Sequence, residues 1–340
     1  MLYNVMRALL FQLEAEKAHH LGLKGLNALK KSGLTSLLYP KPKTSPVKVM
    51  GLTFPNPVGL AAGLDKNGDY IEALAAVGFG FIEIGTVTPR PQLGNPKPRL
   101  FRLPEAQAII NRMGFNNLGI DHLLEQVKKA RTDAIIGINI GKNFDTPVEK
   151  AVDDYLIGLN KVYAHADYVT INISSPNTPG LRTLQFGESL NALLGSLKEQ
   201  QVTLQQHHNR YVPMAVKVAP DLTIDEVQQL AETFRQHEID GVIATNTTLS
   251  REGVNGLKYS DEAGGLSGRP VFEQSTKVVQ QFRQALPKQT PIIAAGGIMS
   301  GDDAIKKLEA GADLVQIYSG FIYKGPALVK SILSRIRNNL

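Results

Sequence analysis

The 340-residue chain is 43% hydrophobic and 20% charged, enough for one large core or two domains. It has no cysteine, which excludes disulfides, thiolate metal sites, iron–sulfur clusters and a cysteine nucleophile or base. The net charge is +6, and residues 1–48 hold eight basic and two acidic residues, so the rest of the chain is neutral; a basic excess confined to one segment argues against a nucleic-acid-binding face and for an anionic membrane surface.

Leu2, Val5, Met6, Leu9, Leu10 and Leu13 recur at helical spacing, and Ala18, Leu21, Gly22, Gly25, Leu26 and Leu29 repeat the pattern. Two short amphipathic helices are predicted, joined near Glu14–Glu16. Neither reaches the ~20 apolar residues of a membrane span, and no small-residue cleavage site follows an apolar run. The pair either packs on the main domain or lies on a membrane surface around an apolar slot for which Gly22 and Gly25 leave room. Lys41–Pro46 reads as a linker, which divides the chain at 1–45 and 46–340. Val47–Phe54 reads as a hairpin capping the base of the main domain.

From residue 57 onward, eight buried-strand candidates alternate with helical segments: Val58–Ala62, Phe81–Val87, Ala134–Ile140, Tyr168–Ile173, Met214–Val218, Gly241–Thr245, Pro291–Ala295 and Leu314–Tyr318. Between them lie helix-favouring segments such as Tyr70–Val77, Leu118–Ala130, Pro147–Ala164, Ile224–His237 and Asp302–Ala310. Eight βα units in this length predict an α/β (β/α)8 TIM barrel with a small N-terminal two-helix extension; a doubly wound open sheet rarely holds so many strands. In a barrel the strand ends converge on one mouth. Here they carry Lys66, Thr86, Asn139, Asn172, Ser175, Lys217, Thr245, Asn246 and Thr247. Two lysines at such a place call for an anionic ligand, because burying an unpaired ammonium is unfavourable.

Ser174–Gly180 ends the fourth strand in hydroxyls, carboxamides and two prolines. Gly296-Gly297 and Tyr318-Ser319-Gly320 follow strands seven and eight, where barrels often bind a phosphate through exposed backbone N–H groups. Gly264–Gly268 is a third glycine-rich loop, able to close over the same group. Phosphate, barrel and Lys217 together suggest FMN, with the lysine stabilising the reduced ring. The connection Thr88–Asn117, long for a barrel, is a functional candidate carrying Arg99, Arg102, Asn111 and Asn116. No metal site is expected: the seven histidines include the pairs His19-His20 and His207-His208 but no HxxxH or HxH spacing.

AAGLDK (61–66), EIGTVTPRPQ with KPRLFRL (83–103), NRMGFNN (111–117), GINIGKN (137–143), INISSPNTPGLR (171–182), VKVAPDL (216–222), GVIATNTT (241–248), GGLSGRP (264–270) and QIYSGFIYKGP (316–326) occur in this order. Together they resemble dihydroorotate dehydrogenase, in its membrane-associated, quinone-using class 2 form, over nearly the whole chain. The resemblance implies oxidation of (S)-dihydroorotate to orotate, with electrons passing through one FMN to a membrane quinone, in de novo pyrimidine (UMP) biosynthesis. Ser175 would take the C5 proton as a hydride leaves C6, with Thr178 as relay and Phe115 walling the site. The sister class uses cysteine as base, which this chain lacks.

Carried over by position, Lys66, Asn111, Asn172, Asn177, Asn246 and Thr247 would bind substrate, with Arg112, Met113, Gly114 and Phe115 beside Asn111. Ala62, Gly63, Thr86, Asn139, Asn172 and Lys217 would hold FMN, with Thr245, Gly268, Gly297, Tyr318 and Ser319. His19, Arg102 and Tyr318 match the quinone end. The implied partners are dihydroorotate and orotate, a membrane quinone and an anionic membrane surface met by residues 1–45, with no nucleic acid and a monomeric chain. Mitochondrial members carry a transit sequence and a transmembrane segment ahead of the helical pair. Neither is present, so the expected location is the bacterial inner membrane, peripheral, on the cytoplasmic side. The alternative is another FMN-dependent barrel oxidoreductase with a soluble acceptor such as fumarate or NAD, or a ligand-binding protein without catalysis.

Overall fold

A computed structural model describes residues 2–39 and 45–339. Its strands are β1 (Val47–Val49), β2 (Leu52–Phe54), β3 (Val58–Leu60), β4 (Phe81–Val87), β5 (Leu100–Leu103), β6 (Ala108–Asn111), β7 (Ile135–Ile140), β8 (Tyr168–Asn172), β9 (Met214–Val218), β10 (Gly241–Ala244), β11 (Gly265–Gly268), β12 (Ile292–Ala295) and β13 (Leu314–Ile317). Eight of these, β3, β4, β7, β8, β9, β10, β12 and β13, pair in parallel and close into a barrel in sequence order. These are the eight expected strands. Several stop one or two residues early at the C-terminal end, where Ala62, Thr245 and Tyr318 leave the ladder for the mouth. Both faces of each barrel strand are covered, so β-branched runs such as Ile135–Ile140 replace apolar–polar alternation.

The helices are α1 (Leu2–Leu10), α2 (Ala15–Lys31), α3 (Leu34–Leu38), α4 (Ile71–Ala75), α5 (Ile120–Lys129), α6 (Ala151–Val162), α7 (Gly187–His208), α8 (Ile224–Gln236), α9 (Phe272–Ala285), α10 (Gly301–Glu309), α11 (Ser319–Lys324) and α12 (Ala327–Asn339). Capping follows the sequence: Thr223 and Glu226 form a capping box at α8, and Ser300 Oγ accepts from Asp303 N–H at α10. The expected hairpin is β1–β2, turning through Met50-Gly51, both at positive φ. It closes the barrel floor with Val49 and Phe54 against Phe81, Tyr168, Ile243 and Ile293. The tight fit there explains Gly59, where a Cβ would fall 2.3 Å from the Phe81 ring.

The long connection Thr88–Asn117 is not a plain loop, and Gly264–Gly268 is not a loop at all. β5, β6 and β11 form a three-stranded antiparallel sheet over the mouth, with its own apolar cluster of Phe101, Leu103, Ala108, Ile110, Leu266 and Val271.

The N-terminal helices dock where α4, at five residues, is too short to cover its side of the barrel. There Leu23 of α2 enters the main core and Lys30 pairs with Glu72. The expected stripes are partly corrected. Leu13 lies beyond the end of α1, while Val5, Leu9, Leu21 and Gly25 face outward and Leu23 points in. α3 was not expected. Most of the linker at Lys41–Pro46 lies outside the described residues.

Candidate functional site

A cleft of about 1050 Å³, open to solvent, occupies the C-terminal mouth of the barrel. Its wall collects residues far apart in the chain: Lys66 after β3, Thr86 on β4, Asn111 at the end of β6 with Met113, Gly114 and Phe115 after it, Asn172 on β8 and Ser175 beyond it. Lys217 comes from β9, Thr245–Thr247 follow β10, and Gly268, Gly297, Tyr318 and Ser319 close the far end, with Ala62 and Gly63 beside them. Lys66 and Lys217 therefore face one space. Three expected residues do not reach the wall. Asn139 is fully buried beneath it and accepts a hydrogen bond from Thr86 Oγ1 (2.6 Å). Thr178 is buried and lies off the wall. The Arg112 guanidinium turns away, over the Phe101 ring and onto Glu262 (2.7 Å).

Ser175 leaves β8 just before Pro176 and Pro179, and its Oγ accepts from Asn177 N–H at 3.2 Å. The Oγ1 atoms of Thr178 and Thr247 are buried without a hydrogen-bond partner among the described residues. Asn172 donates to Thr86 Oγ1 (2.9 Å) and its Oδ1 accepts from Ser174 N–H (3.3 Å). Asn177 Nδ2 bonds the Asn111 carbonyl and Oδ1 at 3.1 and 3.3 Å, while Asn246 Nδ2 reaches Ser174 Oγ (3.0 Å). Ser267 and Ser319 hydroxyls meet at 2.8 Å, joining β11 to α11. Phe115 holds φ +52 against the wall, a conformation that side chains rarely adopt without compensation.

The two lysines differ in their surroundings. Lys217 Nζ lies 3.7 Å from Glu83 Oε1. Glu83 is fully buried and also accepts from Asn139 Nδ2 (2.8 Å), Gln316 Nε2 (2.7 Å) and Tyr168 OH (3.1 Å), so its charge is well satisfied. Burial and the Glu83 carboxylate push the Tyr168 hydroxyl well above its ordinary pKa. Lys66 makes no hydrogen bond or ion pair among the described residues, and burial pulls its pKa down to about 8. Glu83 and Gln316 were missed in the sequence. A lone carboxylate inside the apolar run Phe81–Val87 was the available signal.

A second cavity, close in volume at about 1020 Å³, lies between α1, α2 and the barrel. Its lining is almost wholly apolar, with Met6, Leu10, Phe11, Ala18, Gly22 and Leu26 from the helices. His19 and Arg102 line it, and burial drives the His19 imidazole pKa down to about 3. Arg102 lies 4.5 Å over the Phe11 ring and donates to the Leu10 carbonyl (3.3 Å), which pins the α1–α2 corner. Among the described residues Tyr318 is the one side chain that lines both cavities, and burial raises its pKa to about 12. The regions are also tied by a buried ion pair. Arg99 reaches Glu16 of α2 at 2.7 and 3.1 Å and holds the carbonyls of Leu93 and Asn95. Asn95 in turn holds the carbonyls of Arg112 and Asn177 at the cleft.

Comparison with known proteins agrees with this architecture. The family model described as Dihydroorotate dehydrogenase matches residues 45–340. The protein of Ectopseudomonas mendocina named Dihydroorotate dehydrogenase (quinone) is 60% identical over 335 residues, 98% of each chain. One of the same name from Pseudomonas aeruginosa is 61% identical over 98% of each chain. Among solved structures, the DHODH of Eimeria tenella in complex with ferulenol superposes with a TM-score of 0.88 at 38% identity, covering 96% of this chain and 91% of that one. On the sequence match, the barrel and the residues gathered at its mouth, the chain belongs to the dihydroorotate dehydrogenase family.

Proposed function

We propose that the chain oxidises (S)-dihydroorotate to orotate in the polar cleft and passes the electrons, through one bound FMN, to a membrane quinone that enters the apolar cavity, as a step of pyrimidine (UMP) biosynthesis. The observation that carries this reading is Lys66: a half-buried ammonium without a hydrogen-bond or ion-pair partner among the described residues, facing the same cleft as Ser175. A carboxylate-bearing substrate answers it.

The cleft's own atoms fit FMN. Gly268 and Gly297 bring backbone to one end of the wall at positive φ, and Ser319 adds a hydroxyl there. Thr86, Asn172 and Thr245 offer donors and acceptors along the side, with Asn139 fixing Thr86 from below. Lys217, held by Glu83, supplies a positive charge for the ring edge. FMN, when bound, supplies the acceptor for the hydride that leaves C6.

The rest falls to side chains. Lys66 pairs with the substrate carboxylate, and Asn111, Asn172, Asn177, Asn246 and Thr247 read the pyrimidine edges. Ser175 Oγ takes the C5 proton and yields its own toward Thr178 Oγ1, whose hydrogen-bonding capacity is free among the described residues. Phe115, with Met113 and Gly114, shields the reacting atoms from water.

The N-terminal unit, residues 1–45, serves the second substrate. Leu9 is 68% exposed, Val5 57% and Leu21 52%, in a segment rich in lysine. Such a surface suits the interface of an anionic membrane. No helix among the described residues is long and apolar enough to cross a membrane. The reading is a monomeric peripheral protein on the cytoplasmic side of the inner membrane.

The test is spectroscopic. Purified protein should be yellow, bleach anaerobically with dihydroorotate, and regain its colour with a quinone but not with fumarate or NAD. Recovery with fumarate or NAD instead would establish the soluble-acceptor alternative, and a colourless protein that binds no FMN would sink the reading.

A further inference from the structure

We propose that Lys307, which lies outside the cleft lining, is the electrostatic support of the phosphate end of the flavin site: its ammonium, held behind Gly296-Gly297 by Ser275 and Phe272, supplies positive charge that favours a phosphate dianion on that loop. This rests on the FMN reading above.

Lys307 is fully buried on α10. Its Nζ donates to Ser275 Oγ at 2.6 Å and to the Phe272 carbonyl at 3.2 Å, and lies 4.8 Å from the Phe272 ring centroid. Among the described residues no carboxylate lies within ion-pair distance of it, so all of its partners are neutral. Phe272 and Ser275 form the first turn of α9, an end that already carries the positive pole of a helix. An unpaired ammonium placed there is doubly unfavourable in the chain alone.

The same two residues seat the glycine loop. Ser275 Oγ is 3.1 Å from the Gly296 carbonyl, and a Cβ on Gly296 would fall 2.7 Å from that hydroxyl. A Cβ on Gly297 would fall 2.4 Å from Phe272 Cα. The loop therefore lies flat on the two residues that hold the lysine, with its other side lining the cleft. An anion on that side faces both the ammonium and the helix terminus through packed protein rather than through water.

The nearby charges do not remove the need for such an anion. Glu273 and Asp303 act on Lys307 only at longer range, and Asp303 is engaged by Met299 N–H at 2.9 Å. Lys306, 5.9 Å from the same ring, adds to the positive field. Burial pulls the Lys307 pKa down to about 7, in keeping with an ammonium that lacks its counter-charge.

The test compares FMN with riboflavin, which differs by the phosphate alone, on full-length chain freed of flavin. Affinities are read from flavin fluorescence quenching, with the melting temperature of the flavin-free protein measured alongside. Wild type should prefer FMN. Lys307→Met, and Lys307→Gln, which keeps an N–H donor, should each lose about tenfold or more of that preference. Riboflavin affinity should be unchanged, and the flavin-free protein should melt no lower than wild type, since a buried unpaired charge has been removed. A preference for FMN retained in both variants overturns the inference while leaving the FMN reading intact. Variants that melt lower or fail to fold mark Lys307 as a structural lysine and overturn it too. If wild type binds neither flavin, both fall together.

Discussion

The two cavities are nearly equal in volume and built in opposite ways. The barrel cleft draws its wall from the C-terminal ends of seven of the eight barrel strands, with Asn139 of β7 bracing it from beneath, where backbone is fixed by a closed ladder. There, buried polar side chains such as Asn139, Asn172 and Glu83 brace one another through short hydrogen bonds. The slot is lined by side chains of two surface helices, with few polar groups, and is held to the barrel by Leu23, Arg102 and the Glu16–Arg99 pair. Rigid polar preorganisation suits chemistry on a small charged substrate. An apolar slot suits a lipid-soluble one. On the function proposed above, the two half-reactions fall to a polar site and an apolar one, with Tyr318 as their shared wall.

That contrast can be attacked from either side. The largest effect is expected at the cleft: Ser175→Ala should bind FMN normally yet be reduced by dihydroorotate ~10²–10⁴-fold more slowly, the usual contribution of a positioned general base. Stopped-flow reduction at near wild-type rate would remove Ser175 from the chemistry. Next comes the tie between the regions. Arg99→Met leaves Glu16, 3% exposed, with Lys97 at 3.4 Å as its remaining cation, and should cost ~1.5–3 kcal/mol in urea unfolding, the worth of hydrogen bonds to a charged group. A cost under ~1 kcal/mol would mean that the Glu16–Arg99 pair adds little to the docking already made by Leu23, Arg102 and the Lys30–Glu72 pair.

Smaller effects separate the two sites. Gly22 lies on α2 with Leu10 3.9 Å from where its Cβ would stand, so Gly22→Leu extends into the slot without a backbone clash. The KM for quinone should rise about tenfold, the worth of roughly 1.4 kcal/mol of lost binding, with reduction by dihydroorotate unchanged; equal slowing of both would merge the regions. Deleting residues 1–40 is a blunter test, because it strips Glu16 from Arg99 as well.

The remaining expectation is a pH profile. Lys66 has its folded pKa lowered from 10.5 to about 8, so it is an ammonium below that value and neutral above it. The KM for dihydroorotate should therefore climb as pH rises past 8, and Lys66→Met should show a raised, flat KM. His19, pushed down to about 3, stays neutral, so quinone turnover should show no step near 6.5.

The barrel was legible because buried parallel strands leave a plain signature: Phe81–Val87 and Met214–Val218 are mainly apolar and β-branched runs bounded by loop residues, and their ends match the structure to the residue. The mouth followed from that, since strand ends must converge. The sheet of β5, β6 and β11 was not legible. Its strands are four residues each, flanked by Pro96, Pro98 and Pro104, and β11 joins from far along the chain. Glu83 hid inside a strand read only for its apolar pattern. The facing of α2 was half right, because periodicity gives a stripe but not its rotation: Leu21 looks outward and Leu23 inward. Lys307 gave no signal at all, since a lysine in a helix reads as solvated unless its neighbours in space are known.

Whether the two regions act separately is decided by the reoxidation of dithionite-reduced holoenzyme by a short-chain quinone, followed by stopped flow with and without saturating orotate. With orotate in the cleft and quinone in the slot, the same rate is expected in both. Competition between orotate and quinone would contradict the separation.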